Sequence, residues 1–272
     1  MKKFKIDSNT DIIFENNDWV VIENETPQTY EPKYLYKYFS LNDFSIDSLE
    51  NDYIYLSNPK DFNDPFDCNR NLIIEERKEI NDWQYIERFN DIPDLGIACF
   101  SENGMEPLLW SHYAHSYHGF CLKFNVESLI KNQNDSIRLK RVIYSQAPET
   151  ISQEHPFSHY YRYLLKLNNW KYEQEWRLLF KNPSTTENRL YIDKECIEEI
   201  SIGYKSMDFH TDKQREFKTK FDQIRKEKFK NIPLMNVGPH QIKLELKKVP
   251  LKDGTIEDGM KMLKNNMPFL FK

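Results

Sequence analysis

The chain has 272 residues and a formal net charge of -5, and 39% of its residues are hydrophobic, so it is long enough to bury a substantial core. The acidic balance argues against a general affinity for nucleic acids. The seven glycines form no GxGxxG or GxxxxGK[ST] pattern, which removes the usual support for Rossmann or P-loop phosphate binding. No apolar run approaches the roughly 18 residues that cross a membrane, so we expect a cytoplasmic protein with no membrane partner.

Residues 1–30 are mostly polar and are expected to form an N-terminal extension, followed by a single domain over residues 31–272. Strands are predicted from aromatic or alternating runs, and helices from charged segments with apolar spacing. The predicted strands are Tyr34–Phe39, Asp52–Leu56, Leu95–Phe100, Gly119–Phe124, Arg138–Tyr144, Glu173–Phe180, Ile197–Ile202 and Ile242–Leu246. The predicted helices are Asn42–Asn51, Glu75–Phe89, Pro107–Ala114, His155–Asn168 and Thr211–Lys230.

These elements follow no regular βαβ alternation, and this order predicts an α+β fold. We expect a central mixed or split antiparallel sheet with peripheral helices. The cysteines match neither a CxxC pair nor a zinc pattern, and no signal peptide precedes them, so we expect free and mostly buried thiols. They are Cys68, Cys99, Cys121 and Cys196.

The segment Phe62-Asn63-Asp64-Pro65-Phe66-Asp67 is an unusually dense run of polar and aromatic residues. Its composition predicts a loop. If Phe62 and Phe66 both anchor that loop inward, Asn63 and Asp64 are positioned to serve a binding site. Ordinary turn chemistry is the alternative explanation.

A second dense run contains Trp110, His112 and Tyr113 on the predicted helix that begins at Pro107. Trp110 and Tyr113 share a helical face, with His112 turned away. Such a helix either packs through its aromatic residues or presents them to a ligand. Ser101, after a buried strand, is predicted to act as a cap or a ligand group. Lys37 lies between aromatic residues, where a lysine either keeps its charge in solvent or binds an anion.

Glu173, Glu175 and Arg177 are expected on one face of a strand, because side chains alternate with a period of two. The opposite face, with Trp176 and Leu178, is predicted to face the core. Two carboxylates and a guanidinium in one row suggest a strand whose one face carries the side chains of a catalytic or binding site. An exposed ion pair worth less than about 1 kcal/mol is the alternative.

These motifs resemble an uncharacterised bacterial family catalogued as domain of unknown function twenty-nine seventy-one. The resemblance covers about residues 34–204 and leaves a basic helix and a strand in 205–272. The family name implies no activity. The residues that carry the resemblance are Leu35-Tyr36-Lys37-Tyr38, the run from Tyr53 to Asp67, Cys99-Phe100-Ser101, Trp110 to Ala114, His118 to Leu122, and Trp170 to Arg177.

The order of Lys37, Phe100-Ser101 and Glu173-x-Glu175 also resembles the ADP-ribosyltransferase superfold, with Lys37 where an Arg or His is usual. That resemblance implies an NAD-using transferase or NAD glycohydrolase of bacterial toxin or phage-defence biology. Glu175 is then the catalytic carboxylate, and Glu173 orients the acceptor. Tyr38, Trp110 or Tyr113 stack on nicotinamide, and Lys37 or Arg177 bind the pyrophosphate.

In this hypothesis NAD is a substrate, no cofactor is permanently bound and no metal is needed. The partners are a nucleotide-like small molecule and a protein or nucleic-acid acceptor.

Two alternatives stay open. One is a metal-dependent nuclease with Asp64, Asp67, Glu173 and Glu175 as ligands for Mg²⁺. The other is a non-catalytic module that binds a nucleotide or another ligand.

Overall fold

A computed structural model of the chain describes residues 2–16, 18–74, 95–131, 133, 137–181, 188–206, 208 and 210–251. The predicted helix Glu75–Phe89 lies outside the described residues. The fold class is α+β, as predicted, with strands in both antiparallel and parallel pairs. None of the described helices is both long enough and apolar enough to span a membrane.

The chain forms two compact units, and each unit is assembled from three stretches of sequence. Unit 1 contains residues 1–32, 56–99 and 134–188, and unit 2 contains residues 33–55, 100–133 and 189–272. Because these stretches interleave, no single cut in the chain separates the two units. The prediction of one domain over residues 31–272 stays a prediction.

Unit 1 begins with an antiparallel four-stranded sheet made by the first 28 residues. Its strands are β1 (Lys2–Lys5), β2 (Thr10–Glu15), β3 (Asp18–Glu23) and β4 (Thr26–Gln28). Ile12 and Trp19 are buried in the core of unit 1. The segment expected to be an N-terminal extension therefore supplies part of that core, because Ile12, Phe14 and Trp19 lie on the inner faces of the strands.

The remaining strands of unit 1 carry the polar residues considered below. They are β7 (Ile73–Ile74), most of β8 (Leu95–Ser101), β10 (Ile137–Arg141), β11 (Ile143–Ser145), β12 (Ile151–Ser152), β13 (Leu165–Leu167) and β14 (Glu175–Lys181). The order β10-β14-β8 makes one sheet, and β13 pairs in parallel with β11. A helix over Ser158–Leu164 precedes β13 directly, so the predicted helix His155–Asn168 is shorter than expected.

Unit 2 is built on a mixed sheet, since β16 pairs in parallel with β17 and antiparallel with β9. Its strands are β5 (Tyr34–Phe39), β6 (Tyr53–Tyr55), β9 (Phe120–Asn125), β15 (Arg189–Tyr191), β16 (Ile197–Gly203), β17 (Leu234–Pro239) and β18 (Leu246–Pro250). The α-helices in the described parts of the two units are α1 (Asp43–Glu50), α2 (Pro107–Tyr113), α3 (Val126–Ile130), α4 (Ser158–Leu164) and α5 (Asp212–Lys228).

Local sequence signals account for the helix boundaries of unit 2. Asn42 and Ser45 form a capping box at the start of α1, and Thr211 and Gln214 form another at the start of α5. Pro107 opens α2, where its missing N–H costs nothing. The prediction of a last strand at Ile242–Leu246 is wrong. Residues 241–245 form a bend between β17 and β18, and the alternating apolar residues there, Ile242 and Leu244, have exposed side chains.

A buried charge cluster and its surroundings

Glu175 and Arg177 lie on the same side of β14, as the alternation of side chains along a strand requires. Arg177 is completely buried and Glu175 is 3% exposed. The guanidinium Nε of Arg177 donates to Oε1 of Glu175 over 2.7 Å. The opposite face, with Trp176 and Leu178, is buried too. Both faces of β14 are therefore internal, and the exposed ion pair considered as an alternative does not exist here.

The guanidinium of Arg177 also binds the carboxylate at the end of the dense polar loop. Nη1 and Nη2 donate to Oδ1 and Oδ2 of Asp67 over 2.8 and 2.6 Å. Nη1 further donates to the backbone carbonyl of Tyr163 over 2.8 Å. The planar fork of an arginine is suited to this two-point contact, which a lysine does not reproduce. Arg177 thus joins the loop to β14.

Lys166, on β13, is the second cation of this site. Its Nζ lies 2.6 Å from Oε2 of Glu173, 2.9 Å from Oε2 of Glu175 and 3.7 Å from Oδ2 of Asp67. The side chains of Lys166 and of its three partners are between 3% and 5% exposed. Lys166 thus holds both glutamates through one ammonium group.

We call these five residues the charge cluster: Asp67, Lys166, Glu173, Glu175 and Arg177. The cluster contains three carboxylates and two cations. Charges that are removed from water need partners of opposite sign and good hydrogen bonds, because their desolvation is costly. Each carboxylate here has such a partner.

The environment fixes the ionisation of the cluster. Burial alone raises the pKa of Glu175, but the charges of Arg177 and Lys166 outweigh it and hold that pKa below its usual range. Burial lowers the pKa of Lys166, whereas Glu175 and Glu173 raise it more, so the pKa lies above its usual range. The pKa of Arg177 is raised by Glu175 and Asp67 against the effect of burial. Glu175, Lys166 and Arg177 are therefore all charged at neutral pH.

Two residues beside the carboxylates adopt a left-handed backbone that residues other than glycine seldom adopt. Gln174, between the two glutamates, has φ 45°, and Cys68, next to Asp67, has φ 55°. Such conformations cost about 1–3 kcal/mol each and persist where the surroundings impose them. Gln174 ends the 3₁₀ helix Asn168–Glu173. The prediction of a strand from Glu173 is therefore wrong, since β14 begins at Glu175. Both glutamates still reach Lys166.

Aromatic residues surround the charge cluster. The ring of Trp170 lies over Lys166, with its centre 5.0 Å from Nζ, and this tryptophan is only half buried. The ring of Phe62 lies 5.2 Å from the guanidinium carbon of Arg177. The hydroxyl of Tyr144 accepts the backbone N–H of Glu175 over 2.8 Å. All three aromatic residues contact the cluster and are partly exposed.

The dense polar loop is anchored by one of its two phenylalanines and not by both as the sequence predicted. Phe66 is 61% exposed and does not anchor the loop, so that prediction is wrong. Phe62 does pack against the core of unit 1. Asn63 is exposed, whereas Asp64 is 7% exposed and its Oδ1 accepts the backbone N–H of Phe66 over 2.9 Å. The loop follows a turn around buried Asp64, and it positions Asp67.

The other predicted site residues lie in unit 2. Trp110 is completely buried, with its Nε1 donating to the carbonyl of Gly104 over 3.1 Å. Tyr38 meets Trp110 edge to face, with ring centres 5.4 Å apart, and donates its hydroxyl to the carbonyl of Asn103. Burial raises the pKa of Tyr38 far above its usual range. Trp110 is thus a core residue of unit 2, and the partly buried Tyr38 packs against it.

The side chain of Lys37 lies close to two aromatic rings. Its Nζ is 5.7 Å from the ring centre of Phe39 and 5.6 Å from the ring centre of Phe100. Ser101 is buried, and its Oγ accepts the backbone N–H of Asn103, as expected of a turn residue. His112 is exposed and Tyr113 half buried.

The structure therefore divides the predicted site residues into two sets. Glu173, Glu175 and Arg177 meet in unit 1, near a loop that also carries Asn63, Asp64 and Phe66. Lys37, Tyr38, Ser101, Trp110, His112 and Tyr113 belong to unit 2. Sequence reasoning overlooked Lys166, although a lysine inside the apolar run that follows Tyr160 was a signal. A charge placed in such a run needs a buried partner.

The model of a family described as Protein of unknown function (DUF2971) matches residues 109–178 of the chain. This match confirms the resemblance that the motifs indicated. The matched stretch includes four of the five members of the charge cluster, with Asp67 outside it. No curated protein and no solved structure matches the chain. The resemblance to ADP-ribosyltransferases stays a prediction.

Proposed function

We propose that the chain is an NAD-using ADP-ribosyltransferase or NAD glycohydrolase and that the charge cluster is its catalytic centre. One observation supports this proposal most strongly. Among the described residues, three buried carboxylates converge on the ammonium of Lys166 and the guanidinium of Arg177. A group of carboxylates held together in a site that excludes water favours a ligand that carries or develops a positive charge.

NAD has that character, because its nicotinamide ring is cationic and the adjoining ribose becomes cationic as the bond between them breaks. The glycosidic bond from ribose C1′ to the nicotinamide nitrogen cleaves, and its electron pair leaves with nicotinamide. The transition state resembles an oxocarbenium ion, as in the hydrolysis of glycosides. Glu175 stabilises this charge. Water or an acceptor then bonds to C1′ and gives its proton to Glu173.

The cluster is closed in this structure, so ligand binding requires a local movement. Trp170 lies in the 3₁₀ helix Asn168–Glu173, which directly precedes the strained Gln174. A shift of this short helix exposes Lys166 and the two glutamates together. Trp170 then takes the stacking role that the sequence assigned to Tyr38, Trp110 or Tyr113. Membership of toxin or phage-defence systems stays a prediction.

Thermal unfolding with oxidised and reduced NAD tests the charge argument. The oxidised form, with its cationic ring, is expected to raise the melting temperature. At 100 times its dissociation constant it adds about 2.7 kcal/mol to the free energy of unfolding. NADH, whose ring is neutral, is expected to stabilise less. No stabilisation by oxidised NAD, or equal stabilisation by both forms, contradicts the proposal.

A non-catalytic binding module is the second candidate, and one observation favours it. Both oxygens of Glu175 already accept hydrogen bonds from cations of the chain: Oε1 from Arg177, and Oε2 from Lys166 and Arg177. Because both oxygens already accept hydrogen bonds, Glu175 has to break at least one of them before it can contact a substrate. Ligand binding that survives Glu175→Gln, without turnover by the wild type, favours this candidate.

The metal-dependent nuclease stays an alternative that no observation favours. The carboxylates of Asp67, Glu173 and Glu175 contact Lys166 and Arg177. Among the residues that the structure describes, no group of three or more His, Cys, Asp or Glu side chains is arranged to hold a metal ion.

A further inference from the structure

Tyr144 lies beside the charge cluster without belonging to it. It is the middle residue of β11 and is paired in register with Lys166 of β13. Side chains of paired residues on neighbouring strands project from the same face of a sheet. The phenol of Tyr144 and the ammonium of Lys166 are therefore on one side of this pair of strands, and the phenol is partly exposed.

The hydroxyl of Tyr144 binds the backbone where β14 begins. It accepts the N–H of Glu175 over 2.8 Å. The carbonyl of Glu175 in turn accepts the N–H of Val142 over 2.9 Å. Both backbone groups of Glu175 are thus held by residues 142–144. The phenol oxygen is consequently fixed beside the residue that carries the proposed catalytic carboxylate.

This hydroxyl still has a proton to donate. A phenol both donates and accepts hydrogen bonds. In the part of the chain that the structure describes, the partner of the Tyr144 hydroxyl is the N–H of Glu175, which engages the oxygen as an acceptor. Burial and the charge of Glu175 raise the pKa of Tyr144 above its usual range, so the hydroxyl keeps its proton at neutral pH. The phenol therefore offers a donor to a ligand.

The donors of the two cations of the cluster, by contrast, are engaged within the chain. The N–H groups of an arginine or a lysine act only as donors. Those of Arg177 contact Asp67, Glu175 and the carbonyl of Tyr163. The ammonium of Lys166 faces three carboxylates. In this arrangement the phenol supplies a donor that the two cations no longer have to give.

We propose that Tyr144 donates a hydrogen bond to the carbonyl oxygen of the nicotinamide carboxamide and makes the site selective for that group. This role rests on the proposed function, because it concerns one part of the same ligand. Carboxylates accept hydrogen bonds and suit the hydroxyls of the ribose, whereas a carbonyl oxygen needs a donor. Trp170 and Tyr144 both neighbour Lys166, so a nicotinamide ring stacked on Trp170 brings its carboxamide toward the phenol.

The position of Tyr144 on a strand suits this role. The proposed opening of the cluster shifts the 3₁₀ helix Asn168–Glu173, whereas Tyr144 lies on β11, which is paired with β13. A group on a strand is held in place more firmly than one on a loop. Tyr144 therefore keeps its position while the helix moves to admit the ligand.

Two analogues of oxidised NAD that differ at the carboxamide test this role in the full wild-type chain. 3-Acetylpyridine adenine dinucleotide keeps a carbonyl oxygen, and thionicotinamide adenine dinucleotide has sulfur there, which is a weak acceptor. Stopped-flow tryptophan fluorescence, read before turnover, gives the dissociation constants. Because a site built around a hydrogen bond rejects a ligand that cannot form it, we expect the acetyl analogue to bind at least about tenfold more tightly.

Tyr144→Phe removes the donor and keeps the ring. We expect this variant to bind the two analogues with dissociation constants within about threefold of each other, because the discriminating partner is gone. Tyr161→Phe is the matched control, since the Tyr161 hydroxyl donates to the backbone carbonyl of Glu149, outside the cluster. It is expected to keep the wild-type preference. Differences intrinsic to the two analogues are common to all three chains and cancel in this comparison.

The outcomes separate this role from the proposed function. Equal binding of the two analogues by the wild type, an unchanged preference in Tyr144→Phe, or an equal loss of preference in Tyr161→Phe overturns the role of Tyr144. Release of nicotinamide by the wild type leaves the proposed function standing in each of these cases. A wild-type chain that neither binds oxidised NAD nor releases nicotinamide overturns both. If Tyr144→Phe does not fold, the preference of the wild type decides.

Discussion

At the scale of single residues, Arg177 has the greatest influence on the charge cluster, because it neutralises two buried carboxylates at once. Its guanidinium binds Asp67 through two nitrogens and Glu175 through a third. Removing one partner of a buried ion pair leaves the other charge uncompensated, which costs far more than losing an exposed pair. The cluster should therefore tolerate substitution of Arg177 poorly.

Arg177→Met is expected to lower the free energy of unfolding by about 3–5 kcal/mol, because Asp67 and Glu175 remain buried without that cation. Lys3→Met is the control, since Lys3 is exposed and its ion pair with Asp11 is worth less than about 1 kcal/mol. Urea unfolding of both variants measures the difference. Equal small losses would show that the cluster is solvated in solution.

The low pKa of Glu175 predicts how stability depends on pH. Its carboxyl titrates near pH ~4.3 in the unfolded chain and at lower pH in the folded chain. The unfolded state therefore binds the proton first on acidification. The contribution of Glu175 is complete above about pH 5 and is lost as the pH falls below it.

Glu175→Gln is expected to be less stable at neutral pH and to lose less additional stability between pH ~6 and ~3. Glu154→Gln is the matched control, because Glu154 is an exposed glutamate of the same unit. Urea unfolding at a series of pH values gives the slopes. A slope in Glu175→Gln as steep as in the wild type would mean that Glu175 does not titrate between folded and unfolded states as stated.

At the scale of elements, the segment from the 3₁₀ helix Asn168–Glu173 to β14 shows where sequence patterns stop being informative. Alternation correctly placed Glu175 and Arg177 on one side and Trp176 and Leu178 on the other. It could not show that Gln174 turns into the left-handed region, where it ends the 3₁₀ helix and donates its N–H to the carbonyl of Lys171. A change of backbone at one residue moved Glu173 off the strand.

Substitutions at Gln174 test whether that conformation is strained. Gln174→Gly is expected to change the free energy of unfolding by less than about 1 kcal/mol, since relief of strain offsets the added chain entropy. Gln174→Val is expected to destabilise by more than about 1 kcal/mol, because a β-branched side chain is poorly accommodated at positive φ. Thermal unfolding ranks the variants. A valine variant as stable as the glycine variant contradicts the assigned backbone.

In unit 2, β16 ends at a glycine that a neighbouring loop requires. A Cβ atom on Gly203 would lie 2.1 Å from the backbone oxygen of Tyr117. The loop cannot yield easily, because His115, Ser116 and Tyr117 all have positive φ. The close approach therefore requires glycine.

Gly203→Ala is expected to destabilise the chain by about 3 kcal/mol, as overpacking does in a rigid site. Gly238→Ala serves as the comparison, since its nearest atom would be the Tyr204 side chain at 3.0 Å, and we expect a smaller loss. Chemical unfolding of both variants checks this order. A larger loss for Gly238→Ala would contradict it.

At the scale of the whole molecule, the sequence predicted the class of fold better than its organisation. Aromatic and alternating runs located β5, β8, β9 and β16 because those strands bury side chains in regular patterns. The two interleaved units could not be predicted, because they depend on which distant strands pair. The cluster was predictable only in part. Glu175 and Arg177 followed from alternation, whereas Lys166 reaches Glu175 from a different strand and Asp67 reaches Arg177 from a loop 110 residues earlier in the chain.

The central claim is that the charge cluster cleaves NAD, and the release of nicotinamide tests it most directly. Chromatography of oxidised NAD incubated with the wild-type chain should show nicotinamide accumulating. Glu175→Gln should abolish this release, and the exposed control Glu154→Gln should retain it. Circular dichroism of each variant, recorded below its melting temperature, separates loss of chemistry from loss of folding. Absence of nicotinamide from the wild-type reaction, or undiminished release by folded Glu175→Gln, would contradict the claim.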